Sequence, residues 1–225
     1  MTTPNFSSRR SPIYGRRGMV STSQPLATAA GIELLSRDGN AADAAVAAAA
    51  TLNVTEPMST GIGGDMFALY YDARTKQVTA LNGSGRAPSA LTLDRLKNEG
   101  ILADEMPPFH AHTVTVPGAC AGWCDLIERY GSRSMAEILA PAIRLADEGF
   151  PVAPLTSYFW AGGLERQLKS SLNGHELTID GRAPEAGEIF RNPGLAKTLS
   201  VVARENKRGF YQGQIAEAIV SVIKE

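Results

Sequence analysis

Apolar residues recur at helical spacing along most of this chain and at strand spacing in only a few places. After Pro25, a residue suited to the first turn of a helix, Leu26, Ala29, Ala30, Leu34 and Leu35 fall on one helical face. Gly39 stands where a helix stops in a left-handed C′ residue, and Asn40 follows as the cap of the next helix, with Asp43 completing a capping-box pattern. That second helix, Ala41 to Leu52, is nearly pure alanine, the best helix former and one small enough to pack very close to its neighbour. The pair is expected to cover one face of a sheet. Further helices are predicted at 90–100, 119–130, 135–149, 156–169, 195–206 and 215–225, with 173–188 left as a polar loop.

Three stretches read as strands: Met19–Ser23, His112–Val116 and a hairpin. The hairpin joins Met66–Tyr71 to Val78–Leu81 through a polar reversal and reads as buried. A glycine-rich turn frames it at each end, Gly61-Ile62-Gly63-Gly64-Asp65 before and Asn82-Gly83-Ser84-Gly85-Arg86 after. Glycines at strand ends permit positive φ and close backbone approach, and both properties build sites. So few strands leave open sheet edges, which call for partner strands. The last helical pattern reaches Glu225 without cap, Gly or Pro. The expectation is a chain that naturally continues past 225, with 1–17 a flexible arm and 18–225 one partial domain.

Composition narrows this little. The 225 residues are 44% hydrophobic and 20% charged, ordinary for a soluble globular protein. A net charge of −1 argues against nucleic acid or an anionic membrane as partner. Arg9-Arg10 and Arg16-Arg17 are too few to change that. The longest apolar run, Ala41 to Leu52, is too short to span a bilayer, and the N-terminus has no apolar signal core. Cys120 and Cys124 are the only cysteines and suit two small core residues on a helix better than a disulfide. A cytoplasmic location is the expectation.

Candidate chemistry gathers at the hairpin. Phosphate loops follow a strand and open a helix, whereas Gly61–Asp65 follows a helix and opens a strand, so a tight turn capped by Asp65 is the better reading. Arg86, just past a strand and flanked by small residues, has the geometry to hold a substrate carboxylate through two hydrogen bonds; a surface ion pair is the other reading. His110-x-His112 has no third ligand nearby in sequence, so no metal is expected. There is no Gly-x-Ser-x-Gly elbow and no Ser-His-Asp pattern. Trp123, Tyr158, Phe159 and Trp160 read as core or interface aromatics.

The stretch MVSTSQPLATAAGIELLSRDGNAADAAVAAAATLNVTEPMSTGIGGDMFALYY resembles the start of the γ-glutamyltransferase (glutathione hydrolase) family, and HTVTVPGACAGW, SMAEILAPAIRLADEGFPV and GFYQGQIAEAIV continue the likeness. The resemblance implies an N-terminal-nucleophile hydrolase, an α+β fold whose αββα sandwich is incomplete in this chain. It implies a self-cleaving precursor, a zymogen cut into a large and a small subunit. The new N-terminal Thr of the small subunit serves as nucleophile and, through its α-amino group, as base. It takes the acyl group of a γ-glutamyl amide and passes it to water or an amino acid. This chain resembles only part of the large subunit, so it is expected to hold no catalytic residue and no cofactor. Its implied partners are a small-molecule γ-glutamyl or other amide substrate and the small subunit, with a homo-oligomer also open.

Two departures bear on specificity. Typical members carry Arg-Glu-x-Ala-Pro, whose Arg binds the glutamyl α-carboxylate. Aligned on Ala87-Pro88, that Arg falls on Ser84 and the Glu on Gly85, while Arg86 lies two residues on. Positions i and i+2 of an extended segment share a face, so Arg86 and Ser84 are the substrate-binding candidates, beside the turn Gly61, Gly63, Gly64 and Asp65. Asp65 itself stands where typical members have Gly. A related amide or β-lactam acyl substrate therefore stays open, as does, from another class, an inert fragment or binding module.

Overall fold

The alanine-rich helix is the hub of the structure, a computed structural model that describes residues 11–102, 104–165 and 171–224. Helix α1 (Pro25–Ser36) packs along α2 (Ala41–Thr55), and α2 packs against α5 (Met135–Glu148), which in turn lies on α7 (Pro193–Tyr211). Between these come the hairpin β1 (Met66–Asp72) and β2 (Gln77–Gly83), short α3 (Leu93–Asn98), and α4 (Ala119–Tyr130). A two-residue strand β3 (Phe150–Pro151), α6 (Pro154–Gly163), β4 (Ile189–Phe190) and α8 (Gln214–Lys224) complete the order. Val46, Ala47 and Ala50 of α2 meet Ile138, Leu139 and Ala142 of α5 in one buried cluster that also takes in Leu199 and Val202 of α7. No described helix is long and apolar enough to cross a membrane.

The predicted capping box is present, and it does more than cap. Asn40 Oδ1 accepts from the backbone N–H groups of Ala42 and Asp43, and Asp43 Oδ2 accepts from Asn40 N at 2.8 Å. The same carboxylate, with no exposed surface, also accepts from Ser132 N at 3.0 Å and Ser132 Oγ at 2.6 Å. Asn40 Nδ2 donates to Tyr130 O at 2.6 Å. A buried carboxylate is tolerated only when its lone pairs are satisfied. Here they join the start of α2 to the α4–α5 loop.

Several expectations need correction. Met19–Ser23 forms no strand: no strand of the described chain lies alongside it, and Val20 instead packs against Gly31 of α1. His112–Val116 is not a strand either. Residues Ala111–Thr113 form a single 3-10 turn, and only Val116 N bonds across, to Arg86 O at 3.0 Å. At the end of α1 the left-handed residue is Asp38 (φ 60°), with Gly39 N donating back to Leu34 O at 2.9 Å. The hairpin is covered by α4, not by the α1–α2 pair. It is buried on one face only: Met66, Ala68 and Tyr70 turn inward, while Phe67, Leu69, Tyr71 and Val78 are 58–80% exposed.

The β3–β4 pair was not foreseen. It pairs Phe150 with Phe190, and Trp160 stacks edge-on against Phe190 at 4.7 Å while donating its indole N–H to Leu177 O. Trp123 and Trp160 are core, whereas Phe159 is half exposed. Cys120 and Cys124 are buried and unbridged, as expected. The predicted helix 156–169 begins at Pro154; its predicted end lies outside the described residues, as do Arg9-Arg10. Within 173–188, Gly174–Leu177 form a 3-10 turn. The helix predicted to end at Asn206 breaks there (φ 53°, ψ −141°) and resumes to Tyr211.

Candidate functional site

Three backbone segments converge where β1 begins and β2 ends. The first is the turn 61–65, whose Gly64 N donates to Gly61 O at 3.0 Å. Gly64 O then accepts from both Gly118 N and Ala119 N at 2.9 Å, so this one carbonyl satisfies two N–H groups at the start of α4. Asn53, 4% exposed at the end of α2, ties in the turn by donating Nδ2 to Thr60 Oγ1.

The second segment leaves β2 through residues 83–86. Ser84 N donates to Asn82 Oδ1 at 2.9 Å, and Gly85 N donates to Asp65 Oδ1 at 2.7 Å. Asp65 thus caps not its own turn but the exit of the neighbouring strand. The third segment, 116–119, lies so close that a Cβ on Gly85 would sit 1.9 Å from Val116 O, and one on Gly118 would sit 2.1 Å from Gly83 O. No side chain fits at either position, so these two glycines are required by backbone approach. Gly61 and Gly63 are not: a Cβ on either meets nothing within 4 Å, and neither has positive φ. The expectation that both framing turns use glycine for close approach therefore fails at Gly61 and Gly63, is met at Gly64 only by the tight 3.3 Å between a Cβ there and Gly61 O, and holds at the rear turn.

Sequence reasoning missed what braces the third segment. Tyr211, at the end of α7, donates its hydroxyl to Pro117 O at 2.6 Å and accepts from Ala121 N at 3.1 Å. Burial pushes its phenol up to about 12, so it stays a neutral donor. The Pro117-Gly118 dipeptide after the expected strand His112–Val116 was the available signal. Beside it runs an apolar groove of about 350 Å³ whose walls include Pro88, Val116, Tyr211, Ile219, Val220 and Ile223.

The structure brings Ser84, Arg86, Gly64 and Asp65 to one junction. Gly85 faces Val116 inward, and Ser84 and Arg86 on either side of it are both exposed, as alternation in an extended segment requires. The Arg86 carbonyl is engaged by Val116 N, yet its guanidinium has no hydrogen bond or ion pair among the described residues. No partner for a surface ion pair with Arg86 is found among the described residues.

The histidines do something else. His112 Nε2 lies 2.6 Å from Glu99 Oε2, and Arg95 Nε donates to Glu99 Oε1 at 2.8 Å. His112 first, then Arg95, hold the Glu99 carboxyl below the usual carboxylate range. No group of three His, Cys, Asp or Glu residues is arranged to hold a metal among the described residues.

A helix layer covers one face of the hairpin and leaves the other open, which fits an incomplete αββα sandwich of the N-terminal-nucleophile hydrolase kind that the following likenesses show. The family model described as Gamma-glutamyltranspeptidase matches residues 27–225, and the chain belongs to that family. It is 33% identical over 216 residues to a glutathione hydrolase proenzyme of Bacillus subtilis (strain 168), covering 94% of this chain and 36% of that one. The crystal structure of Helicobacter pylori gamma-glutamyltranspeptidase superposes with a TM-score of 0.86 at 31% identity, covering 95% of this chain and 62% of the other. Cephalosporin acylase from Bacillus halodurans superposes at 0.82 with 40% identity, over 96% and 42%. The chain therefore spans 36–62% of the length of these relatives, less than two thirds of each.

Proposed function

We propose that this chain is the N-terminal part of the large subunit of a γ-glutamyltransferase-like hydrolase that cleaves γ-glutamyl amides through an acyl-enzyme. The nucleophilic threonine, in the resemblance to this family, belongs to a small subunit cut from the same precursor. The present chain contributes a wall of the acyl-donor pocket and is inactive alone. The small subunit and a small-molecule amide are its partners; nucleic acid and membrane are not.

The observation that carries this reading is Arg86: an exposed guanidinium with no partner among the described residues, on a backbone locked by Asp65 and Val116 and two residues from Ser84. A planar cation of this kind recognises a carboxylate through paired hydrogen bonds. In the full-length precursor, Arg86→Ala is expected to lower kcat/KM for a γ-glutamyl anilide by roughly 30- to 100-fold, the loss of a charge-assisted contact of about 2–3 kcal/mol. An unchanged kcat/KM rejects the role.

A second reading within the same chemistry is an acylase for β-lactam or related amide donors. The likeness to the Bacillus halodurans cephalosporin acylase supports it, as does the apolar groove beginning at Pro88, two residues from Arg86. Hydrolysis of a glutaryl or cephalosporin side-chain amide in preference to a γ-glutamyl amide would favour it.

A further inference from the structure

We propose that Asp65 is a positioning residue that sets where Arg86 presents its guanidinium to the substrate carboxylate. The proposal rests on the reading of Arg86 given above. It goes beyond it by assigning a role to the turn residue whose presence, in place of the usual Gly, accompanies the displaced arginine.

The geometry leaves Gly85 little freedom. Its N–H is held by Asp65 Oδ1 at 2.7 Å, and its α-carbon is pressed against Val116 O, where a Cβ would lie at 1.9 Å. One residue before, Ser84 N is held by Asn82 Oδ1; one residue after, the Arg86 carbonyl is held by Val116 N. Three successive residues are thus pinned, and the Asp65 bond is the one that comes from across the hairpin. The carboxylate is exposed and accepts no other hydrogen bond among the described residues, so its part in the structure is this single contact. A charge-assisted bond to a backbone N–H is short and directional. Placed immediately before β1, it transmits the register of the hairpin to the segment bearing Arg86. Removing it lets residues 84–86 shift, and a shift of about 1 Å is enough to spoil a bidentate arginine contact.

Asp65 touches no substrate in this account, so its loss should act only through Arg86. The test uses the full-length processed enzyme and two donors, a γ-glutamyl anilide and the same anilide with its α-carboxylate converted to the neutral carboxamide. Asp65→Ala is expected to raise KM for the carboxylate donor about tenfold, with kcat and the carboxamide donor unchanged. In an Arg86→Ala background the same substitution should add nothing. Asp65→Asn, which keeps an acceptor at the same place, should restore the parent KM. Should Asp65→Ala fail to fold, Asp65→Glu replaces it: the longer arm displaces Gly85 and should raise KM for the carboxylate donor alone. Equal losses on both donors, or losses that multiply in the Arg86→Ala background, overturn the positioning role. If the preference for the carboxylate donor survives in Arg86→Ala, the reading of Arg86 falls and this proposal with it. If Arg86→Ala abolishes that preference and the Asp65 variants leave it unchanged, only the positioning role falls.

Discussion

The α2–α5–α7 layer and the β1–β2 hairpin sit side by side and answer differently to the same pattern of apolar residues. In the helical layer every large apolar side chain at the interfaces has found cover: Ile138, Leu139, Leu199 and Val202 have no exposed surface. In the hairpin one face is covered by α4 and the other carries Phe67, Leu69, Tyr71 and Val78 into the open. The helical layer is complete in itself. The hairpin is built to be covered on both faces, and contiguous exposed apolar residues of this kind mark an interface. The candidate site lies at the end of this open-faced hairpin.

Paired truncations test that contrast most strongly. In the 225-residue chain, Leu139→Ala should cost about 3 kcal/mol in denaturant unfolding, the usual cost of a buried cavity. Leu69→Ala in the same chain should change stability by less than about 0.5 kcal/mol, as for a surface site. In the full-length precursor the second value should rise toward the first. Equal, small effects of Leu69→Ala in both contexts would remove the idea of a covered outer face.

The two glycine turns provide a finer contrast. Gly85→Ala places a methyl group into Val116 O and should cost on the order of 3 kcal/mol, with loss of whatever activity the full-length protein has. Gly61→Ala meets open space and should be neutral or stabilise by roughly 0.5 kcal/mol in the isolated chain. Thermal melts of the two variants give the answer directly.

The smallest effect is a pH dependence at the far end of the helical region. Arg182 pairs with Glu188 and, together with the Glu185 N–H, holds its carboxyl down to about 2 from an ordinary 4.5. A depressed acid contributes stability above its unfolded value and loses it as pH falls toward its folded one. The Tm difference between the parent and Glu188→Gln should therefore be present at pH 6, shrink between pH 4.5 and 2, and vanish below. The pair is exposed, so the effect is small. A difference that persists below pH 2 contradicts the assignment.

The elements legible in the sequence were those specified by short-range chemistry. The Asn40–Asp43 capping box, the boundaries of α4 and the β1–β2 hairpin all follow from residues a few positions apart. What escaped depends on partners distant in the chain. The β3–β4 pair is two residues on each side and carries no period to read. Met19–Ser23 has strand composition but nothing here to pair with. At the site, Arg86 was singled out as a cation between small residues just after a strand, and Ser84 only through the family resemblance. The bracing by Asp65, Val116 and Tyr211 was not, because it is made through backbone groups that every residue shares.

The central claim is that the junction fixes the backbone while leaving Arg86 free for a substrate carboxylate. It is tested most directly by the ratio of kcat/KM for the γ-glutamyl anilide to that for its α-carboxamide analogue, measured in the full-length enzyme and in Arg86→Ala. The account predicts a large preference for the carboxylate donor that collapses toward unity in the variant. A preference that survives the loss of Arg86 would contradict it.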